Sequence, residues 1–232
     1  MKPSMQSRGR PRGAKCEPSH VFCVGVASAR SVEAALRQIC LWAVLLAAPA
    51  SWALSPDKAP SQYVQDAWQT GQGLPQNSAL SVAQTPDRYL WVGTQEGLAR
   101  FDGARFVIFD RRNTPQINSN LIPALCADSR GRLWIGTGAG VAVLANGRFE
   151  AFDADTRLAG AYVSSITEDR DGGLWFGTEV GLFHFDGRKI DFVSLDDAGS
   201  HVSIRAVHQD RAGVVWVGAA SAGLLRLSQD GA

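Results

Sequence analysis

The sequence predicts an all-β protein made of β-propeller blades, about four of them, each with four strands. Three observations predict it. A tryptophan motif recurs every 41–43 residues, each period carries two glycine-bearing turn signals, and no helical apolar period follows residue 54 apart from a turn near Ser61–Trp68. Twenty-four glycines in 232 residues, without a collagen-like period, fit many tight turns between short strands.

The motif reads Leu90-Trp91-Val92-Gly93-Thr94, Leu133-Trp134-Ile135-Gly136-Thr137, Leu174-Trp175-Phe176-Gly177-Thr178 and Val215-Trp216-Val217-Gly218-Ala219. Before it stand an apolar strand (Ile122 and Leu125, Val163 and Ile166, Ile204 and Val207) and an Asp-x-x-Gly turn at Asp128, Asp169 and Asp210. An Asp there can bond to nearby backbone N–H groups, and the Gly tolerates positive φ. The first copy has Thr85-Pro86-Asp87-Arg88 at that place. After the motif, Gly97, Gly140, Gly181 and Gly223 each lead into a third strand. Asp102-Gly103, Asn146-Gly147 and Asp186-Gly187 then signal a tight hairpin into a fourth, which carries Phe106 and Phe109, Phe149 and Phe152, or Ile190 and Phe192. Four strands in about 42 residues is the signature of a propeller blade. In that architecture the indole fills the space between blades, and the glycine two residues on lets a backbone approach closely.

The chain divides by charge. Lys and Arg number 23 against 22 Asp and Glu, but residues 1–53 hold seven basic and two acidic residues, and residues 54–232 hold 16 and 20. Within the first segment Arg37 precedes the apolar run of residues 39–50, and Ser51 and Ala53 form a small-x-small site, the layout of a secretory signal peptide cleaved before Leu54. Pro49 closes the run well short of the ~20 apolar residues that cross a bilayer. The stretch before Arg30 exceeds an ordinary positive flank, which suggests that translation starts downstream, near Val26 or Val32. The expected organisation is a leader over 1–53, a linker and first strand over 54–76, and blades over 77–117, 118–160, 161–201 and 202–232. A signal peptide places the rest outside the cytoplasm. There Cys126, the one cysteine after the leader, reads as a buried small hydrophobe.

The segments Gly73-Leu74-Pro75-Gln76-Asn77-Ser78 and Tyr89 to Gly103 closely resemble the first blade of the two-component regulator propeller family, and the units at Asp128, Asp169 and Asp210 resemble its later repeats. The resemblance covers roughly residues 62–230. It implies a large bacterial periplasmic sensor with about fourteen blades in two seven-bladed rings, a β-sandwich, a transmembrane helix and a cytoplasmic histidine kinase or diguanylate cyclase. It also implies, as partners, a small molecule or glycan, the remaining blades of the receptor and a second copy in a homodimer. Since the sequence stops at Ala232 with no kinase or cyclase segment, the expectation is the N-terminal fragment of such a receptor, with an incomplete, seven-bladed ring.

No catalytic residue, cofactor or metal site is expected. His184, His201 and His208 lie in no metal-ligand spacing, and His208, on an inner strand, reads as a partly solvated histidine. Gly136-Thr137-Gly138-Ala139-Gly140 is followed by a strand, so no helix N-terminus is there for a phosphate. The Asp-x-x-Gly carboxylates lack the alternation of a calcium loop. The acidic balance after residue 53 disfavours nucleic acid. Arg100, Arg205 and Lys189 are charges with no pattern that singles them out, so the ligand site stays unknown. The functional reading is an exported ligand-sensing module; the alternative is a secreted propeller enzyme such as a lyase or hydrolase, disfavoured by the absence of long insertions between repeats.

Overall fold

A computed structural model describes residues 64–195 and 202–227. The leader, its apolar run, His201 and the chain end lie outside them. Among the described residues no helix is long and apolar enough to cross a membrane.

The described residues form four antiparallel sheets, each in sequence order. The first holds β1 (Ala79–Gln84), β2 (Leu90–Thr94), β3 (Leu98–Phe101) and β4 (Phe106–Phe109). The second holds β5 (Ala124–Ala127), β6 (Leu133–Thr137), β7 (Gly140–Ala145) and β8 (Arg148–Phe152). The third holds β9 (Val163–Glu168), β10 (Leu174–Thr178), β11 (Gly181–Phe185) and β12 (Ile190–Val193). Three described strands make the fourth: β13 (Ile204–Gln209), β14 (Val215–Ala219) and β15 (Gly223–Leu227). These are propeller blades.

The first strand expected within residues 54–76 is not there among the described ones; the first blade begins at Ala79. Thr70–Gln72 instead form a 3-10 turn closed by Gly73 at φ +102°, with the Thr70 N–H donated to Asn77 Oδ1 (2.9 Å). Gly71, Gly73 and Pro75 leave no run of residues able to complete a ladder. Leu74 nevertheless anchors this segment, buried with Val92, Ala99 and Phe106.

Blades join through three apolar clusters. Trp91 and Leu98 of the first blade pack with Ile122, Leu133 and Ile135 of the second. Trp134 and Val141 pack with Val163, Leu174 and Phe176 of the third. Leu182 and Trp175 pack with Ile204, Val207 and Val217 of the fourth. The motif glycines sit where consecutive blades come closest. A Cβ on Gly93 would lie 2.4 Å from the Ile122 carbonyl oxygen, one on Gly136 2.9 Å from Val163 Cγ1, and one on Gly177 2.7 Å from Ile204 Cγ2. Only a missing side chain admits the residue that opens the next blade.

The motif threonine finishes the strand. Thr94, Thr137 and Thr178 are fully buried, and their hydroxyls donate to the carbonyls of Gly97 (2.8 Å), Gly140 (2.9 Å) and Gly181 (2.7 Å). A buried hydroxyl must find such an acceptor. Ala219 replaces it in the fourth blade.

Candidate functional site

In an up-and-down blade the turns after the first and third strands lie at the same end. Here that end carries the Asp-x-x-Gly turns, the Asp-Gly or Asn-Gly turns and the indole N–H groups. It is also where clefts open between blades.

Each turn aspartate works with both oxygens. Asp128 Oδ1 accepts the N–H of Arg130 (3.1 Å) and Arg132 (2.8 Å), Asp169 Oδ1 those of Asp171 (2.8 Å) and Gly173 (2.7 Å), and Asp210 Oδ1 those of Ala212 (2.8 Å) and Val214 (3.0 Å). Oδ2 then faces the tryptophan. Trp134 Nε1–H donates to Asp128 Oδ2 at 2.8 Å and Trp216 Nε1–H to Asp210 Oδ2 at 2.9 Å. Carboxylates that accept several donors titrate low. Burial pushes Asp128 and Asp169 up, but the hydrogen bonds outweigh it and hold both below the usual carboxylate range. The Trp216 indole and backbone donors do the same for Asp210.

The third blade breaks the rule. His184 on β11 stands across the ladder from Trp175 and stacks on it, with ring centroids 4.2 Å apart. Its Nε2 lies 2.7 Å from Asp169 Oδ2. The carboxyl is held ionised, so the proton of this bond sits on the histidine. Having lost its acceptor, Trp175 Nε1 is buried without a partner. The His184 cross-strand position is filled by Arg100 in the first blade, Val143 in the second and Arg226 in the fourth. It is the variable member of the Asp–Trp unit, nine residues after the tryptophan in the first three blades and ten in the fourth, and the strand register brings it to the indole.

Two clefts of similar size sit over this position. A cavity of about 350 Å³ between the first two blades is lined by Thr85, Asp87, Arg100, Phe109, Asn146 and Phe149, among others. One of about 360 Å³ between the third and fourth is lined by Asp169, Asp171, Trp175, His184, Gln209 and Leu227, among others. Between the second and third blades, Arg130 covers this end: its guanidinium nitrogens would lie 3.5 Å from a Cβ on Gly172 or Gly187.

Neighbouring turns are latched by backbone. The Ser129 N–H donates to Glu168 Oε2 (2.8 Å) and the Arg170 N–H to Gln209 Oε1 (2.9 Å). In the first blade the donor's place is taken by Pro86, and the acceptor's place in the second by Ala127, so both partners of the latch are replaced together.

The other residues weighed on sequence fall as follows. Arg100 and Arg205 lie on strands, not loops. Lys189, just before β12, pairs with Asp191 on that strand at 3.0 Å. His208 is exposed on β13, across from Trp216. Cys126 is half-buried on β5, and burial pushes its thiol up, which keeps it protonated and inert. Among the described residues no group of three or more His, Cys, Asp or Glu is placed to hold a metal ion.

Comparison with known proteins agrees with this architecture. Residues 73–96, 116–139 and 157–180 match the family described as two component regulator propeller. A 69-residue stretch is 35% identical to histidine kinase P4 of Formosa agariphila, covering 30% of this chain and 5% of the kinase. The extracellular domain of the hybrid two-component system BT4673 from B. thetaiotaomicron superposes with a TM-score of 0.59 at 23% identity, over 71% of this chain and 23% of that one. A second structure of the BT4673 extracellular domain gives 0.55 at 24% identity, over 67% and 22%. The chain thus spans a small part of each relative. Each of its first three blades contains one of the three segments that match the two component regulator propeller model.

Proposed function

We propose that this chain is the extracytoplasmic, ligand-sensing propeller module of a membrane signal-transduction receptor. The observation that carries the reading is the family match at three successive blades. The chemistry at the turn end of the blades fits binding rather than turnover. The His–Asp pair among the described residues, His184–Asp169, caps a turn and stacks on an indole, with no nucleophile hydrogen-bonded to it. The leader with its apolar run over 39–50 supplies export, and Leu54 begins the mature chain. The receptor's other propeller blades complete the ring, and its output domain follows in the same polypeptide. A histidine kinase is the output to which the matched relative's name points. The ligand is a small molecule or glycan, and a homodimer of the receptor is the arrangement through which its binding is transmitted.

Thermal-shift screening against small metabolites and glycans tests this. A ligand that binds only the folded state raises the melting temperature as its concentration passes Kd. The expected result is stabilisation by a compound that is recovered chemically unchanged. Conversion of that compound would overturn the sensing role in favour of a secreted enzyme.

A further inference from the structure

Two blades place a guanidinium beside the repeat tryptophan and a third places a histidine there; the second and third pair that group with the turn aspartate. In the second, the Arg132 guanidinium lies 4.9 Å from the Trp134 ring centroid, with Nε 2.6 Å from Asp128 Oδ2. In the third, His184 stacks on Trp175 and reaches Asp169 Oδ2 at 2.7 Å.

The first blade has the guanidinium and no carboxylate at the matching turn position. Arg100 is half-buried, its guanidinium 4.4 Å from the Tyr89 ring centroid and 5.9 Å from those of Trp91 and Phe109. The turn position of Asp128 and Asp169 is Thr85, buried, whose hydroxyl oxygen accepts the Trp91 Nε1–H at 3.0 Å. Asp87, on the same turn, spends Oδ1 on the Thr85 hydroxyl and the Tyr89 N–H. Among the described residues Arg100 forms no ion pair. A guanidinium stays charged in proteins and offers five donors in a fork that matches a carboxylate. In front of it lies the cavity of about 350 Å³, within the range of small-molecule sites.

We propose that the cleft between the first and second blades binds a small hydroxylated carboxylic acid, its carboxylate on Arg100 where the other blades supply an aspartate. Thr85, Asp87 and Asn146 line the same cleft and offer partners for the hydroxyls. The phenyl rings of Phe109 and Phe149 form its apolar wall. This assignment rests on reading the module as ligand-binding, and names the chemistry it takes.

Calorimetric titration of the whole chain with gluconate, lactate and sorbitol tests it. Gluconate and sorbitol are both open-chain six-carbon polyols and differ in the carboxylate. Gluconate is expected to bind at least about tenfold more tightly than sorbitol, the scale of one charge-assisted pair. Arg100→Gln removes the anchor. Thr85→Asp supplies the missing carboxylate from the protein itself, with Oδ2 placed for Trp91 as Asp128 is for Trp134. Each variant should weaken gluconate about tenfold or more, and Thr85→Asp should do so with an unchanged melting temperature. Heat-silent titrations with both acids, or gluconate affinity undiminished in Arg100→Gln or Thr85→Asp, would overturn the assignment. A chain stabilised by a neutral glycan yet indifferent to both acids overturns it as well, while leaving the sensing role standing.

Discussion

At the scale of single residues, the Asp–Trp pairing explains why aspartate recurs in these turns. One oxygen organises the turn and the other receives the indole, so replacing it costs both. Asp128→Ala should lose about 1–3 kcal/mol in urea unfolding, the cost of leaving buried donors without an acceptor. His184→Val, which installs the residue found at 143, should cost less than about 1 kcal/mol, because it returns Asp169 Oδ2 to Trp175. A large loss in His184→Val would mean that the imidazole, not the indole, is the preferred partner. The three turn carboxylates titrate below their unfolded values. Their contribution to stability is therefore complete above about pH 4 and disappears as pH falls through the lower folded values. Asp128→Asn should flatten that acid limb, read as melting temperature against pH.

At the scale of elements, the Leu-Trp-x-Gly-Thr strand is a joint between blades. Its glycine is required by the neighbour and not by its own backbone. Gly93→Ala pushes a methyl group to within 2.4 Å of the Ile122 carbonyl and should destabilise the chain by about 1–3 kcal/mol or more. Gly218→Ala meets Ala206 Cβ at 3.7 Å, ordinary contact, and should stay within about 0.5 kcal/mol. Equal losses at the two positions, measured by chemical denaturation, would contradict this account of the joint. The blades were legible in the sequence because each element leaves a local mark: Gly at a turn, Trp-x-Gly on the second strand, paired aromatics on the fourth. The cleft was not legible. The residue across from the indole recurs nine or ten after the tryptophan, but its type changes from Arg100 to Val143, His184 and Arg226, so no repeated residue marks it. Whether a carboxylate is free depends on which of two donors reaches it first. The 3-10 turn at Thr70–Gln72 was missed for a related reason, since its bond to Asn77 Oδ1 joins residues seven apart.

At the scale of the whole molecule, near-identical repeats give stability through repeated joints and leave specificity to the positions that differ. The Trp-x-Gly strand recurs in all four blades, whereas the cation, its partner and the open cleft change from one blade to the next. Such a division suits a sensing module, in which a common scaffold carries a site assembled between two blades. Indole-selective nitrogen-15 NMR, during titration with the most stabilising compound of a thermal-shift screen, tests this most directly. The account predicts that the Trp91 Nε1–H resonance shifts saturably, that of Trp134 stays in place, and the compound's own proton spectrum is unchanged after hours. Growth of new product signals, or saturation of binding with no movement of Trp91, would contradict it.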